Sequence, residues 1–289
     1  MTFRLIFLLS FLVNPALWSQ QISFPYKEFS EIPLPKDLRE CSGLCVTNHG
    51  IWSINDSGNE PYLYLLNKDN TGKESWKTVR YKLPIKNVDW EAVETDNKHI
   101  YIGDFGNNKG NRNDLCIYRI ELKELIQKSI PTTTKNLKQF EGKVEVIPFA
   151  YADQVNFDKR RLHRFDCEAM EIRGDSIRLF TKNWNNNKTN IYDFKASEEF
   201  QSIYPSKEVK TGFLITDACI WKNQVIWCGY NLKGNQYLSK WDYQSKKIKK
   251  YKINLKPAQV EGITTWNNDL VVCTEKRKSQ RASILLFKP

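Results

Sequence analysis

One short pattern returns five times along the chain and constrains the fold more than any other feature. It is an oxygen-bearing residue, then a small residue, then an apolar one. The copies begin at Ser42 ("SGL"), Glu91 ("EAV"), Glu168 ("EAM"), Asp217 ("DAC", where a cysteine takes the apolar place) and Glu261 ("EGI"). The intervals between them are 49, 77, 49 and 44 residues. Each copy is followed by a second apolar run, "IWSIND", "IYIGDF", "IRLFTKN", "VIWCGY" and "LVVCTEK". A polar loop and a third run come next: "YLYLLN", "LCIYRI", "NIYDF", "QYLSKW" and "SILLF". Most units show a fourth, such as "KTVRYKLP" and "IKKYKINL". Four short strands per unit of forty-odd residues is the period of a β-propeller blade.

The spacing therefore predicts an all-β chain, a β-propeller of five blades with four antiparallel strands each. The long second interval exceeds its neighbour by 28 residues, too few for another blade. A six-bladed ring would need a hidden unit within 121–165. Residues 121–130, "ELKELIQKSI", read as a short helix inserted before a fourth strand. The fifth unit lacks a fourth strand. An N-terminal strand within residues 23–34 supplies it and closes the ring, which removes sheet edges.

Residues 1–19 combine a basic start, an apolar run too short to span a bilayer, and small residues near a cut site. That is the pattern of a secretory signal peptide. The expectation is a secreted or periplasmic protein with residues 20–289 as one propeller domain and no membrane span. The formal net charge is +11. Much of it is lysine on outer strands, as in residues 245–256, where charge discourages edge-to-edge pairing. An anionic small molecule or a glycan is the expected partner, nucleic acid is not, and the chain is expected to be a monomer. The seven cysteines lie mostly within strand-like runs and read as small buried apolar residues. Three scattered histidines and the lack of a CxxC pair argue against zinc.

In a propeller the first strand of each blade lines the central axis. Ser42, Glu91, Glu168, Asp217 and Glu261 would then converge there. Four carboxylates crowded in a narrow tunnel repel one another and lose solvation. A hard cation such as Ca²⁺, which accepts six to eight oxygens in irregular geometry, resolves the conflict. The alternative is that each acid accepts backbone N–H bonds or pairs with a cation of the chain. Loops entering the first strand share a face with loops joining the second and third strands. That face would collect Asn55, Asp56, Asp104, Arg164, Lys182, Asn183, Tyr230, Glu275 and Lys276. Asp56, Asp104 and Glu275 are candidates to position water. The others are candidates to hold an anionic substrate.

The order Ser, Glu, Glu, acid, Glu on five inner strands resembles the calcium-activated nucleotidase (apyrase) family. "SGLCVTNHGIWSINDSG", "DWEAVETDNKHIYIGDFG" and "QVEGIT" look like that family's blade-core segments. The resemblance implies a secreted five-bladed propeller with one axial Ca²⁺ that hydrolyses nucleoside di- and triphosphates. It implies metal ligation by Ser42, Glu91, Glu168 and Glu261, with Asp217 standing where that family has Ser and Thr216 as a substitute. Asn55-Asp56-Ser57 stands where the family has an acid–Arg pair, and Lys182-Asn183-Trp184 where it has a double Arg. The chain also looks like exported bacterial propellers of no assigned activity. Three readings stay open: a Ca²⁺-dependent hydrolase of a phosphorylated or other anionic substrate, a non-catalytic propeller binding a glycan, peptide or protein, and a paraoxonase-like lactonase or esterase.

Overall fold

The computed structural model describes residues 29–69, 75–242, 245–255, 258–277 and 280–288. The leader-like residues 1–19 and the first part of the expected closing strand lie outside the described residues.

Hairpins set the local geometry. Lys222 and Asn223, at φ 48° and 60°, form one two-residue turn, and Asn267 and Asn268, at 50° and 71°, form another. Left-handed pairs match the right-handed twist of flanking strands, and asparagine tolerates that conformation better than most residues. Chained hairpins make the blades. The first strand, β1 (Phe29–Pro33), stands apart from the blade that follows it. Blade one is β2 (Cys41–Thr47), β3 (Gly50–Asn55), β4 (Tyr62–Lys68) and β5 (Trp76–Lys82). Blade two begins with β6 (Trp90–Thr95), β7 (His99–Asp104) and β8 (Cys116–Glu121). Helix α1 (Leu122–Gln127) and a hairpin of β9 (Ser129–Pro131) and β10 (Leu137–Phe140) intervene before its fourth strand, β11 (Glu145–Tyr151).

Blade three is β12 (Asp166–Arg173), β13 (Ser176–Lys182) and β14 (Lys188–Lys195), then a short β15 (Gln201–Ile203), then β16 (Pro205–Lys210). Blade four is β17 (Leu214–Trp221), β18 (Gln224–Tyr230), β19 (Gln236–Trp241) and β20 (Ile248–Ile253). Blade five is β21 (Gln259–Trp266), β22 (Asp269–Glu275) and β23 (Ser283–Phe287). β1 pairs antiparallel with β23, Phe29 opposite Phe287, and completes that blade. The closing strand expected from the sequence is thus present in its C-terminal part.

Two added segments, one in the second interval and one in the third, cover sheet edges. β10 pairs in parallel with β5, so blade two's hairpin caps the outer edge of blade one. β15 does the same for β11 of blade two. Both additions cover edges that would otherwise present unpaired N–H and C=O groups.

The core is divided. Each of five apolar clusters lies between neighbouring blades: Trp52, Leu65 and Tyr81 against Trp90 and Ile102, for example, or Phe180 and Ile191 against Trp227 and Trp241. Inner strands β2, β6, β12, β17 and β21 contact one another in that order and return to β2. Near the axis they approach so closely that the small residue of the repeat is required. A β-carbon on Gly43 would sit 2.8 Å from Val93 N, and one on Gly262 would sit 3.1 Å from Gly43 Cα. Gly43 also holds φ at +83°, a region costly to any residue with a β-carbon. All seven cysteines are buried free thiols, as their place in the strands implied.

Candidate axial cation site

Every inner strand breaks register at the repeat. The irregularities fall between Trp90 and Ala92, Cys167 and Ala169, Ile215 and Asp217, and Val260 and Gly262. In β2 it falls between Ser42 and Leu44. A bulge leaves one residue unpaired and re-aims its side chain. The unpaired residues are Glu91, Glu168, Thr216 and Glu261, with Gly43 in blade one.

Three of these residues, all glutamates, line one cavity of about 130 Å³ at the end of the axis, together with Ser42. Glu40, Cys41, Asp56, Asn108, Lys182, Tyr230, Gln259 and Glu275 complete its wall. Ser42 Oγ donates to the Glu91 carbonyl at 3.0 Å and thereby joins blades one and two. The Gln259 amide bonds the Glu261 carboxylate.

Side chains of the chain itself answer part of the charge conflict. Lys182 Nζ lies 2.7 Å from Glu168 Oε1, with the two side chains only 5% and 4% exposed. Glu168 Oε1 has no aligned hydrogen bond, so the contact is an ion pair. Lys182 also donates to Tyr230 OH at 3.4 Å and stands over the rings of Trp184 and Tyr230. Burial disfavours the ammonium, but Glu168, Tyr230, Glu261 and Asp166 outweigh it and hold its pKa well above the usual lysine value. One side of the axial ring therefore carries an internal cation.

Among the described residues the other side forms no ion pair; Arg112 restrains Asp89 only as a more distant charge. Oxygens of Asp56, Asp89 and Glu91 all lie within 4.8 Å of one another. Burial first, then Glu168, Asp56 and Asp89, push the pKa of Glu91 well up, and Lys182 only partly opposes this. Burial, then Asp56 and Asp166, raise Asp89 to about 7. Asp56 is raised too, chiefly by burial. Gly106 forms the floor of this cluster: a β-carbon there would fall 2.5 Å from Glu91 Oε1 and 2.6 Å from Asp89 Oδ2. Asn87 fixes the cluster's frame. Its amide donates to the carbonyls of Asn55 and Asp56 at 3.0 and 2.9 Å, and its Oδ1 accepts from Trp90 N. The Asn87–Glu91 segment thus locks blade two to the loop that carries Asp56.

Other residues named from the sequence stand elsewhere. Asp217 does not line the cavity: its carboxylate accepts from the backbone N–H groups of Ala218 and Ile263, both at 2.8 Å. Thr216 is the bulged residue and donates to the Val260 carbonyl at 2.7 Å. Asp104 is spent on Arg112 at 2.9 Å and on the N–H groups of Val88 and Asp89. Asn55 ties Glu40 N to the Asp37 carbonyl. Asn183 bonds Asn190 and closes its own turn at Asn185 N. Arg164 pairs with Asp153 at 2.8 Å. Lys276 bonds the Arg39 carbonyl through its backbone and faces a neighbouring cleft instead of the cavity. Asp56, Lys182, Tyr230 and Glu275 do line the cavity. Sequence reasoning missed Asp89, as well as Glu40, Asn108 and Gln259 of the cavity wall. For Asp89, its place two residues before Glu91 in "DWE" was the available signal.

No protein-family model and no curated protein sequence matches the chain. Among solved structures it is similar to the WD40 β-propeller domain of Doa1, at 10% identity and TM-score 0.42, over 90% of this chain and 96% of that one. It is also similar to a putative oxidoreductase (glucose dehydrogenase) from Thermus thermophilus, at 7% identity and TM-score 0.43, over 90% and 99% of the two chains. A chain of a mitotic checkpoint complex matches at 12% identity and TM-score 0.37, over 85% and 63%. Similarity at this level says nothing of activity, substrate or partner.

Proposed function

We propose that a calcium ion binds at the edge of the axial cavity, held by Asp56 and Glu91 of its wall and by the adjoining Asp89, and that the protein acts on an anionic substrate outside the cytoplasm. The observation that carries this reading is the three-carboxylate cluster that forms no ion pair among the described residues, while Lys182 pairs directly with Glu168 on the opposite side. The donors are all hard oxygens, with Ser42 beside them, which suits calcium better than zinc. The leader-like residues 1–19 support export.

Bound calcium would supply positive charge to polarise a phosphoryl or similar oxygen. The chain's own residues would do the rest. Lys182, held by Glu168, places a second positive charge on the cavity wall. Glu275 stands on the wall, its pKa raised mainly by burial and only partly restrained by Arg277. A carboxylate shifted toward neutral pH is suited to take a proton from an attacking water. Hydrolysis of a phosphorylated compound, either a phosphate ester or the phosphoanhydride of a nucleoside di- or triphosphate, is the reaction this set supports best. The internal use of Asp104 and Lys182 favours a second reading, a calcium-loaded module that binds an anionic partner without turnover.

Purified protein tested on nucleotide, phosphomonoester, lactone and ester substrates, with calcium and with EDTA, separates these readings. Calcium-dependent phosphate release supports the hydrolase. Saturable anion binding without release supports the binding module. Lactone or ester cleavage alone would overturn the phosphate assignment.

A further inference from the structure

Residues 152–165, which lead into β12, carry three large apolar side chains in water: Val155 at 89% exposure, Leu162 at 68% and Phe157 at 44%. Lys159, Arg160 and Arg161 stand between them, and the neighbouring loop adds Lys109. Asp158 is the one carboxylate within this stretch that lacks an ion pair, since Asp153 is held by Arg164.

The segment is braced from below. Gln154 Nε2 donates to the Gly110 carbonyl at 2.9 Å, and Arg160 N donates to the Lys109 carbonyl at 2.9 Å. The His163 ring lies 3.3 Å from the Asn108 carbonyl, and the His163 carbonyl accepts from Trp184 N at 3.0 Å. The bracing fixes the base while the apolar tips remain outside. Asn108 also lines the axial cavity, so this patch adjoins the cavity's rim.

Isolated apolar tips separated by cations are the arrangement that docks on a bilayer interface. The tips enter the headgroup–acyl boundary and the cations meet anionic lipid. We infer that this loop attaches the protein, rim first, to an anionic lipid surface. The charge pattern selects that occupant: the patch sets cations beside exposed apolar side chains, with Asp158 the one carboxylate of the stretch outside an ion pair. The inference does not depend on calcium or on hydrolysis.

The test is co-sedimentation of the whole protein with vesicles in EDTA, which removes calcium bridging. Vesicles are phosphatidylcholine alone, or phosphatidylcholine with phosphatidylserine. The protein is expected to bind the anionic vesicles, to bind neutral ones weakly, and to be released by salt. Phe157→Ser with Leu162→Ser should lower the partition coefficient at least about tenfold. Lys159→Ala with Arg161→Ala should lower it about twenty-fivefold, at roughly fivefold per charge. Circular dichroism should report unchanged folding, because all four side chains are exposed. Failure to bind anionic vesicles overturns the inference, as does binding that both double variants leave intact. Binding to an acidic protein through the same side chains without vesicle binding overturns the lipid assignment.

Discussion

Replacing Lys182 with methionine removes the internal cation of the axial cavity while nearly conserving the volume of its stem. Glu168 then stays buried with no partner, beside Glu261 and Asp166. Breaking a buried ion pair from one side costs about 3–5 kcal/mol, most of it the penalty for the stranded charge. Glu168 has a way to reduce this. Its pKa is already pushed well up by burial, with Asp166 and Glu261 adding to the rise, and Lys182 the main restraint. Without Lys182 it takes up a proton, and the cost shrinks as pH falls. Urea unfolding in EDTA should show Lys182→Met destabilised by about 3 kcal/mol at pH 8 and by less at pH 6. Adding Glu168→Gln should restore stability to within about 1 kcal/mol of the parent, because both charges are then gone. The variant should also bind calcium more tightly, since a competing positive charge has left the cavity. A double variant as unstable as the sum of its singles would refute the argument that the two residues neutralise each other.

The metal-free protein should gain stability on mild acidification. Glu94 and Glu261 are each raised to about 8, with burial the first cause. A carboxyl whose folded pKa exceeds its unfolded value stabilises fully below the unfolded pKa and loses that contribution as pH climbs through the folded one. The unfolding free energy in EDTA, read by urea denaturation, should therefore be higher at pH 5 than at pH 8, by about 3.5 kcal/mol per such group at most; a stability rising with pH would contradict this. Gly106→Ala should crowd Glu91 and Asp89 and weaken calcium binding about tenfold or more, read by calorimetry, with a smaller effect on melting. Asp104→Asn should destabilise the fold by about 1–2 kcal/mol, because Arg112 loses its buried carboxylate but keeps Asp114, read by urea unfolding, instead of altering turnover alone.

The ring was legible because its physical requirements recur in the sequence. A bulge needs one re-aimed residue, and crowding at the axis needs a small one after it. Together they produce Glu-Ala and Glu-Gly at blade intervals, while in the Ser-Gly of blade one the glycine is itself the bulged residue. Closure by β1 followed from an apolar run left over at one end. The pairing of β10 with β5 was not legible, because a parallel contact between blades has no local signature. The site was read at lower resolution. Loop polarity nominated Asn55, Asp104, Asn183 and Arg164, but it cannot reveal which polar groups are consumed by turns and ion pairs. Asp217 illustrates the limit most sharply: a one-residue difference in bulge position turns its carboxylate onto backbone N–H groups and puts Thr216 at the repeat position. Asp89 escaped attention because the repeat was defined on residues after it, and because it stands just before β6, next to a bulge where strand alternation is broken.

Calcium binding to metal-stripped protein is the most direct test of the cation site. Isothermal titration calorimetry and thermal unfolding across a calcium series should be run on the parent and on Glu91→Gln. The parent should show one saturable site, with unfolding stability rising by about 2.7 kcal/mol at a hundred times the dissociation constant, and Glu91→Gln should lose most of both. A parent protein that gives no binding heat and melts at the same temperature in calcium and in EDTA would contradict the account.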